Sequence, residues 1–250
     1  MIPLRNDAGF TNHGPGEPLA NFGLIDGSKY HYWFSDFHQS EGITASTAGD
    51  WTVTKTGASA VALADAEGGV IAITNAGSDN DNTFIQKLGE SFKFAAAKKL
   101  AIVARFKIAS AIESDIAIGL QITDTTPLDV SDGIFFYKAD GSAVLTARVE
   151  KNDVAATGNV VTMADNTYVD VAIVYQGRVR IAQGPTNTTY YDFETYYKDS
   201  GGIWRQAGTI AASVEAPDDE ELTISFGVQN GDGVTAEILS LDYFLAVKER

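Results

Sequence analysis

Two pairs of carboxylates are spaced so that both members would lie on one face of a β-strand, where side chains at i and i+2 point the same way. Glu113 and Asp115 form the first pair, and Asp192 and Glu194 form the second. Paired carboxylates are the groups that hydrolyse glycosidic bonds. The first pair falls in a turn before a strand, and no third acid follows two residues later. It therefore does not match the acidic strand of a glycosidase.

The second pair has aromatic neighbours. With strand alternation, Tyr190, Asp192, Glu194 and Tyr196 share one face. Rings beside carboxylates suit the stacking and hydrogen bonding of a sugar, and the same composition is typical of an outer sheet face with cross-strand pairs. Both interpretations stay open: a glycan-facing surface at these four residues, or an ordinary outer face. We predict no catalytic residue.

Residues that commonly bind metal ions do not occur in ligand spacing. His13, His31 and His38 have neither the i, i+2 nor the i, i+4 separation of a histidine metal site. Residues 78–82, SDNDN, alternate oxygen-bearing side chains as calcium loops do, but the following glycine and the distal glutamate of an EF-hand are missing. We expect a polar turn there, with structural calcium as the alternative. The sequence predicts no metal and no cofactor, since phosphate-binding and dinucleotide motifs are also absent from it.

Composition restricts the class of protein further. The chain has 250 residues, 44% of them hydrophobic, which suffices for one sizeable core. The chain has no cysteine, so we expect neither disulfides nor thiolate chemistry. A net charge of −15 argues against nucleic acid or an anionic membrane as the partner. The first residues lack the basic and apolar regions of a secretory signal, and no apolar run reaches membrane-spanning length, so we expect synthesis in the cytoplasm.

Alternation at period two, broken by Gly, Asn and Asp, predicts strands along most of the chain. Residues 100–108 and 116–122 show it most clearly, and the short turn between them predicts that they pair as neighbours in one antiparallel sheet. Further strands are expected at 133–139, 143–151, 168–175, 178–182, 189–197, 203–210, 222–229 and 236–247. Gln176-Gly177 is one of the predicted hairpin turns. The fold class is therefore all-β, a two-sheet antiparallel β-sandwich.

Residues 1–29 differ from the domain predicted at 30–250. Glycine and proline interrupt this segment repeatedly, which indicates an extended arm. Its apolar residues Leu19, Phe22, Leu24 and Ile25 predict that the arm docks, either on its own sandwich or on a neighbouring subunit.

The order of segments resembles the concanavalin A-like jelly-roll proteins among the structural proteins of tailed bacteriophages. The resemblance covers residues 30–250. It rests on YWFSDF (32–37), GDW (49–51), GGVIAIT (68–74), DNTFIQ (81–86), IVARFKI (102–108), IAIGLQIT (116–123), DGIFFY (132–137) and LSLDYFLAV (239–247).

This resemblance implies a non-enzymatic virion protein. Its expected role is a capsid decoration protein that binds the major capsid protein on the outer surface of a phage head, as a homo-oligomer. Contacts with the capsid or other subunits are expected through the arm residues named above and through sheet edges. The alternative is a carbohydrate-binding module of a tail or fibre, which would use the face with Tyr190 and Tyr196.

Overall fold

The computed structural model describes residues 5–6, 9–10, 16–23, 25–39, 43, 49–64, 66–183, 187–231 and 235–250. All regular structure in these ranges is β-strand, which confirms the predicted all-β class. Arg5–Asn6 (β1) and Gly9–Phe10 (β2) pair with each other. The part of the chain described here has no helix long and apolar enough to cross a membrane.

Sixteen further strands form two antiparallel sheets of eight strands each in the described residues. The first sheet consists of Tyr30–Ser35 (β3), Ser59–Ala64 (β5), Val70–Asn75 (β6), Leu100–Ile108 (β9), Val169–Ala182 (β14), Thr188–Lys198 (β15), Trp204–Ala212 (β16) and Ile238–Glu249 (β18). The second sheet consists of Trp51–Thr56 (β4), Asn82–Lys87 (β7), Phe92–Lys93 (β8), Ser114–Gln121 (β10), Gly133–Lys138 (β11), Val144–Lys151 (β12), Val154–Thr162 (β13) and Glu221–Asn230 (β17).

The strands follow the order β16-β15-β14-β9-β18-β6-β5 in the first sheet, where β3 also pairs with β18. In the second sheet the order is β13-β12-β11-β10-β17-β7-β4, and β8 also pairs with β17. Neighbours in the sheets are mostly distant in sequence, as when β17 lies between β7 and β10. The two-sheet antiparallel sandwich predicted from alternation is confirmed.

The core lies between the sheets. Alternate residues of β9, such as Ile102 and Phe106, are fully buried, and so are their counterparts Ile118 on β10 and Phe226 on β17. Because only the inner faces of stacked sheets meet, each sheet has an outer face on which a site could form.

The predicted pairing of residues 100–108 with 116–122 is wrong. β9 pairs with β14 and β18 in the first sheet, whereas β10 pairs with β11 and β17 in the second. The connection crosses the end of the sandwich instead of turning back. It is held there by the backbone N–H of Ser110, which donates to the Glu237 carboxylate at 3.0 Å, and that of Ala111, which donates to Asp165 at 2.7 Å.

The predicted hairpin turn at Gln176-Gly177 is also wrong, because β14 continues through it. The pairing with β15 shifts register between Tyr175, opposite Phe193, and Val179, opposite Tyr191. Gly177 has a φ of +71°, a conformation that glycine adopts without strain, so the strand bulges and does not reverse.

Candidate functional site

The four residues predicted as a glycan-facing surface do lie on one face of β15, the outer face of the first sheet. The intervening Phe193 is fully buried in the core on the other side. Alternation therefore placed Tyr190, Asp192, Glu194 and Tyr196 correctly relative to the sandwich.

Asp192 and Tyr190 both contact Arg180, which is directly opposite Tyr190 on β14. The Arg180 guanidinium donates to both Asp192 oxygens, at 2.9 and 2.8 Å, and lies 4.6 Å from the centre of the Tyr190 ring. This hydrogen bonding lowers the pKa of Asp192. The carboxylate is therefore a charged member of an ion pair.

Glu194 is also bonded within the sheet. Its Oε2 accepts the Tyr196 hydroxyl at 2.7 Å and the Gln176 amide at 3.1 Å. Tyr196 itself is only 9% exposed, and burial raises the pKa of its hydroxyl. Little of this ring is left for a ligand to stack on.

The N-terminal segment covers this part of the first sheet. Phe22 is 3% exposed and packs in one cluster with Tyr196, and Leu19 and Ile25 pack against that cluster. The Tyr30 hydroxyl donates to the Phe22 carbonyl at 2.6 Å. In the structure the arm therefore docks on its own sandwich, one of the two alternatives left open by the sequence.

Leu24 lies outside the described residues. The predicted role of Leu19, Phe22, Leu24 and Ile25 in contacts with a capsid or another subunit is not tested by the structure and stays a prediction, as does the glycan-facing role of the β15 residues.

The outer face of the second sheet has a different composition. Two rows of directly opposite residues cross it, and opposite residues share a face. The first row consists of Thr56, Asn82, Gln229 and Asp115, on β4, β7, β17 and β10. The second row consists of Thr54, Phe84, Gly227, Ala117 and Tyr137. The first row thus has hydroxyl, amide and carboxylate side chains, whereas the second has an apolar centre.

The connection between β10 and β11 folds back over this face. Its Val130 and Leu128 pack on Phe84 and Phe135 in a small apolar cluster outside the main core. Phe84 lies close to the backbone of Gly227, which is possible because glycine has no Cβ. A Cβ on Gly227 would lie 2.6 Å from the Phe84 Cα, closer than real Cβ atoms come. The loop is therefore fixed on the sheet by packing.

A cleft of about 340 Å³ remains between this loop and the two rows. It is lined by Thr54, Thr56, Asn82, Phe84, Thr125, Thr126, Pro127, Leu128, Asp129 and Gln229. The volume is within the usual range for small-molecule sites, about 300–1,000 Å³. The cleft lies at the edge of the sheet next to β4 and is open to solvent.

The polar side chains of the cleft are only partly bonded to one another. The Asn82 amide donates to Gln229 Oε1 at 3.4 Å, and the Gln229 amide donates to Asn80 Oδ1 at 3.1 Å. The Asn82 amide also donates to the Asn80 carbonyl at 3.3 Å, so both of its hydrogens are used and its capacity for a ligand lies in Oδ1. Gln229 retains one donor hydrogen and one acceptor lone pair. Asp129 is exposed, and no hydrogen bond or ion pair joins its carboxylate to another described residue.

Asp115, from the weaker of the two carboxylate pairs, extends the first row beyond Gln229. Its Oδ1 accepts the backbone N–H of Asp140 at 2.9 Å, and burial raises its pKa. Glu113, its predicted partner, precedes β10, so the two do not share a strand face.

No group of three His, Cys, Asp or Glu side chains that could hold a metal ion occurs in the described residues, and the structural calcium considered for residues 78–82 stays an alternative. His31 lies against Phe92 and bonds to Ser91, and His38 bonds to Asp36. His13 lies outside the described residues.

Sequence reasoning missed the cleft. The available signals were Thr52, Thr54 and Thr56 at period two, and Gly119 and Gly227 within otherwise apolar strands. Glycine inside a strand often marks a site where a ring or backbone comes close.

Several solved structures share this architecture. A protein of unknown function from Shewanella oneidensis MR-1 is 16% identical, with a TM-score of 0.57 over 96% of this chain and 95% of that one. An endo-1,3-beta-glucanase from Streptomyces sioyaensis is 11% identical, with a TM-score of 0.56 over 90% and 98%. Peanut lectin is 10% identical, with a TM-score of 0.55 over 88% and 97%. No protein-family model and no curated protein matches the sequence.

The chain is therefore an all-β concanavalin A-like jelly roll of two antiparallel sheets. Identities this low establish the fold alone. The predicted virion location, the major capsid protein as partner and the homo-oligomer are tested by none of these observations and stay predictions.

Proposed function

We propose that the protein binds carbohydrate without cleaving it, in the cleft on the outer face of the second sheet. The observation that supports this most directly is the first row, where Thr56, Asn82 and Gln229 lie side by side at the cleft. Sugars present closely spaced hydroxyls that both donate and accept hydrogen bonds, and amide and threonine side chains can do the same.

The fold supports the same proposal. Lectins occur among the solved structures with this architecture. On the first sheet the carboxylates of β15 are bonded to neighbouring side chains, and the cleft of about 210 Å³ beside the arm has a mainly apolar lining that includes Phe34 and Trp204. The cleft on the second sheet is larger and has the row of amide and hydroxyl side chains. The sequence led to two hypotheses, capsid decoration and carbohydrate binding. The present proposal keeps carbohydrate binding but places the site on the second sheet instead of on β15.

Binding without cleavage is favoured by the carboxylates of this face. Hydrolysis generally uses two carboxyl groups on either side of the scissile bond. Asp129 is the one acidic residue among the described lining of the cleft. Asp115 is adjacent to Gln229 but is held by the Asp140 backbone.

An array of neutral, amino-bearing, uronate and sulfated oligosaccharides tests the proposal with the full chain. We expect binding, and Asn82→Ala and Gln229→Ala should each weaken it about tenfold, the effect of one lost hydrogen bond to the ligand. Thermal unfolding of each variant checks that the fold is retained.

Tyr190→Ala is the matched control, because Tyr190 lies on the outer face of the other sheet. Its affinity should equal that of the wild type. If Tyr190→Ala lost glycan binding and Asn82→Ala retained it, the binding site would lie on β15 and not in the cleft. Absence of binding to every oligosaccharide would refute the proposal, and release of shorter products, abolished by Asp115→Asn, would show an enzyme.

A further inference from the structure

The charges around the cleft are distributed unevenly. Its described lining contains no Lys, Arg or His, and Asp129 lies in it as an exposed carboxylate. The other two acids of this loop are bonded within it: Asp124 accepts the Thr126 backbone N–H at 2.7 Å and the Thr126 hydroxyl at 2.8 Å, and Asp132 accepts the Ser131 hydroxyl at 2.7 Å. Asp129 has no such partner among the described residues.

From this we infer that the cleft discriminates between glycans by charge: it accepts neutral and amino-bearing sugars and rejects uronate and sulfated ones, with Asp129 as the discriminating residue. The inference rests on the proposed function and specifies its substrate class. A bound anionic sugar would bring a second negative charge towards Asp129 with no cation in the described lining to compensate for it. A protonated amino group would instead form an ion pair with Asp129.

The charge of the whole protein acts in the same direction. A net charge of −15 repels anionic polymers at long range and attracts cationic ones. Salt screens this general repulsion, with a Debye length of about 10 Å at 0.1 M. A direct interaction with Asp129 is screened less, because the partner would lie well within that distance. The two contributions can therefore be separated by mutation.

Asp129→Asn tests the inference, because it removes the charge and nearly preserves the shape. Relative to the wild type, we expect affinity for uronate oligosaccharides to rise about fivefold and that for amino-bearing ones to fall about fivefold, the effect of one unit charge about 4 Å away in water. Affinity for neutral oligosaccharides should change less than either, because an asparagine can still hydrogen-bond to sugar hydroxyls.

Glu67→Gln is the control variant. It removes one negative charge from an exposed turn next to β6, in the other sheet, and so changes net charge without altering the cleft. We expect its selectivity to equal that of the wild type. If Glu67→Gln shifted selectivity as much as Asp129→Asn, net charge would be the cause and the role of Asp129 would be refuted.

The same array separates failure of this inference from failure of the proposed function. Wild-type protein that bound uronate or sulfated oligosaccharides as tightly as neutral ones would overturn the charge discrimination and leave carbohydrate binding intact. Wild-type protein that bound none of them would overturn both.

Discussion

The two outer faces of the sandwich both have polar side chains, but they differ in how far those side chains are bonded within the protein. On the first sheet, Asp192 bonds to Arg180, Glu194 bonds to Tyr196, and the arm covers the apolar surface around Tyr196. On the second sheet, the amides and hydroxyls of the first row border an open cleft. The comparison shows that aromatic and acidic residues at period two identify an outer face but do not say whether that face is already occupied by the protein itself.

The largest effect should come from uncovering the first sheet. Phe22→Ala removes a buried ring and should reduce the free energy of unfolding by about 3 kcal/mol, at the low end for core phenylalanine because a terminal segment can detach locally. Chemical denaturation measures this change. Phe34→Ala is the control, since Phe34 is 53% exposed, and should cost less than about 0.5 kcal/mol. Equal effects would show that the arm does not close this face.

The second largest effect should come from the floor of the cleft. Gly227→Ala forces a Cβ against the Phe84 backbone and should destabilise the fold by about 2 kcal/mol, a typical cost of overpacking. Gly208→Ala, on β16, is the matched control: its Cβ would have no neighbour closer than the Thr195 hydroxyl, at 3.8 Å. A stable Gly227→Ala variant with unchanged glycan binding would mean that Phe84 does not set the shape of the cleft.

The smallest effect concerns the ion pair on the first sheet. Arg180 and Asp192 are half and one-third exposed, so a double-mutant cycle at neutral pH should give only about 0.5 kcal/mol. Because the pKa of Asp192 is lowered in the folded state, this contribution is complete above the unfolded-state pKa of about 4 and is lost as pH falls through the folded-state pKa.

NMR titration of Asp192 measures the same coupling directly. In Arg180→Ala the carboxyl should titrate closer to its ordinary value than in the wild type. An identical titration in both proteins would mean that Asp192 is not engaged by Arg180, and the first face would then have a free carboxylate like the second.

The sequence was sufficient to predict the two-sheet sandwich and many strands, because burial of one face per sheet imposes alternation on residues such as Ile102, Ala104 and Phe106. It could not predict which strands pair, since β9 and β10 have the same pattern whether they lie side by side or face each other across the core. β13 escaped prediction because Val154–Thr162 is largely exposed, so burial of one face does not impose a clear alternation of apolar and polar residues on it.

The candidate site was harder to predict than the fold. Thr56, Asn82 and Gln229 are far apart in sequence and become neighbours only through strand register, which alternation does not determine. The contacts that occupy the β15 face also depend on register, because Arg180 reaches Asp192 only after the bulge at Gly177.

The placement of the two faces on opposite sides of one core has a thermodynamic consequence. Sheets in a sandwich pack about 10 Å apart, so side chains on opposite outer faces are farther from each other than that. Perturbations at such separations add without coupling, within about 0.5 kcal/mol. We therefore expect two independently adjustable surfaces: weakening the arm should leave the cleft unchanged, and redesigning the cleft should not loosen the arm.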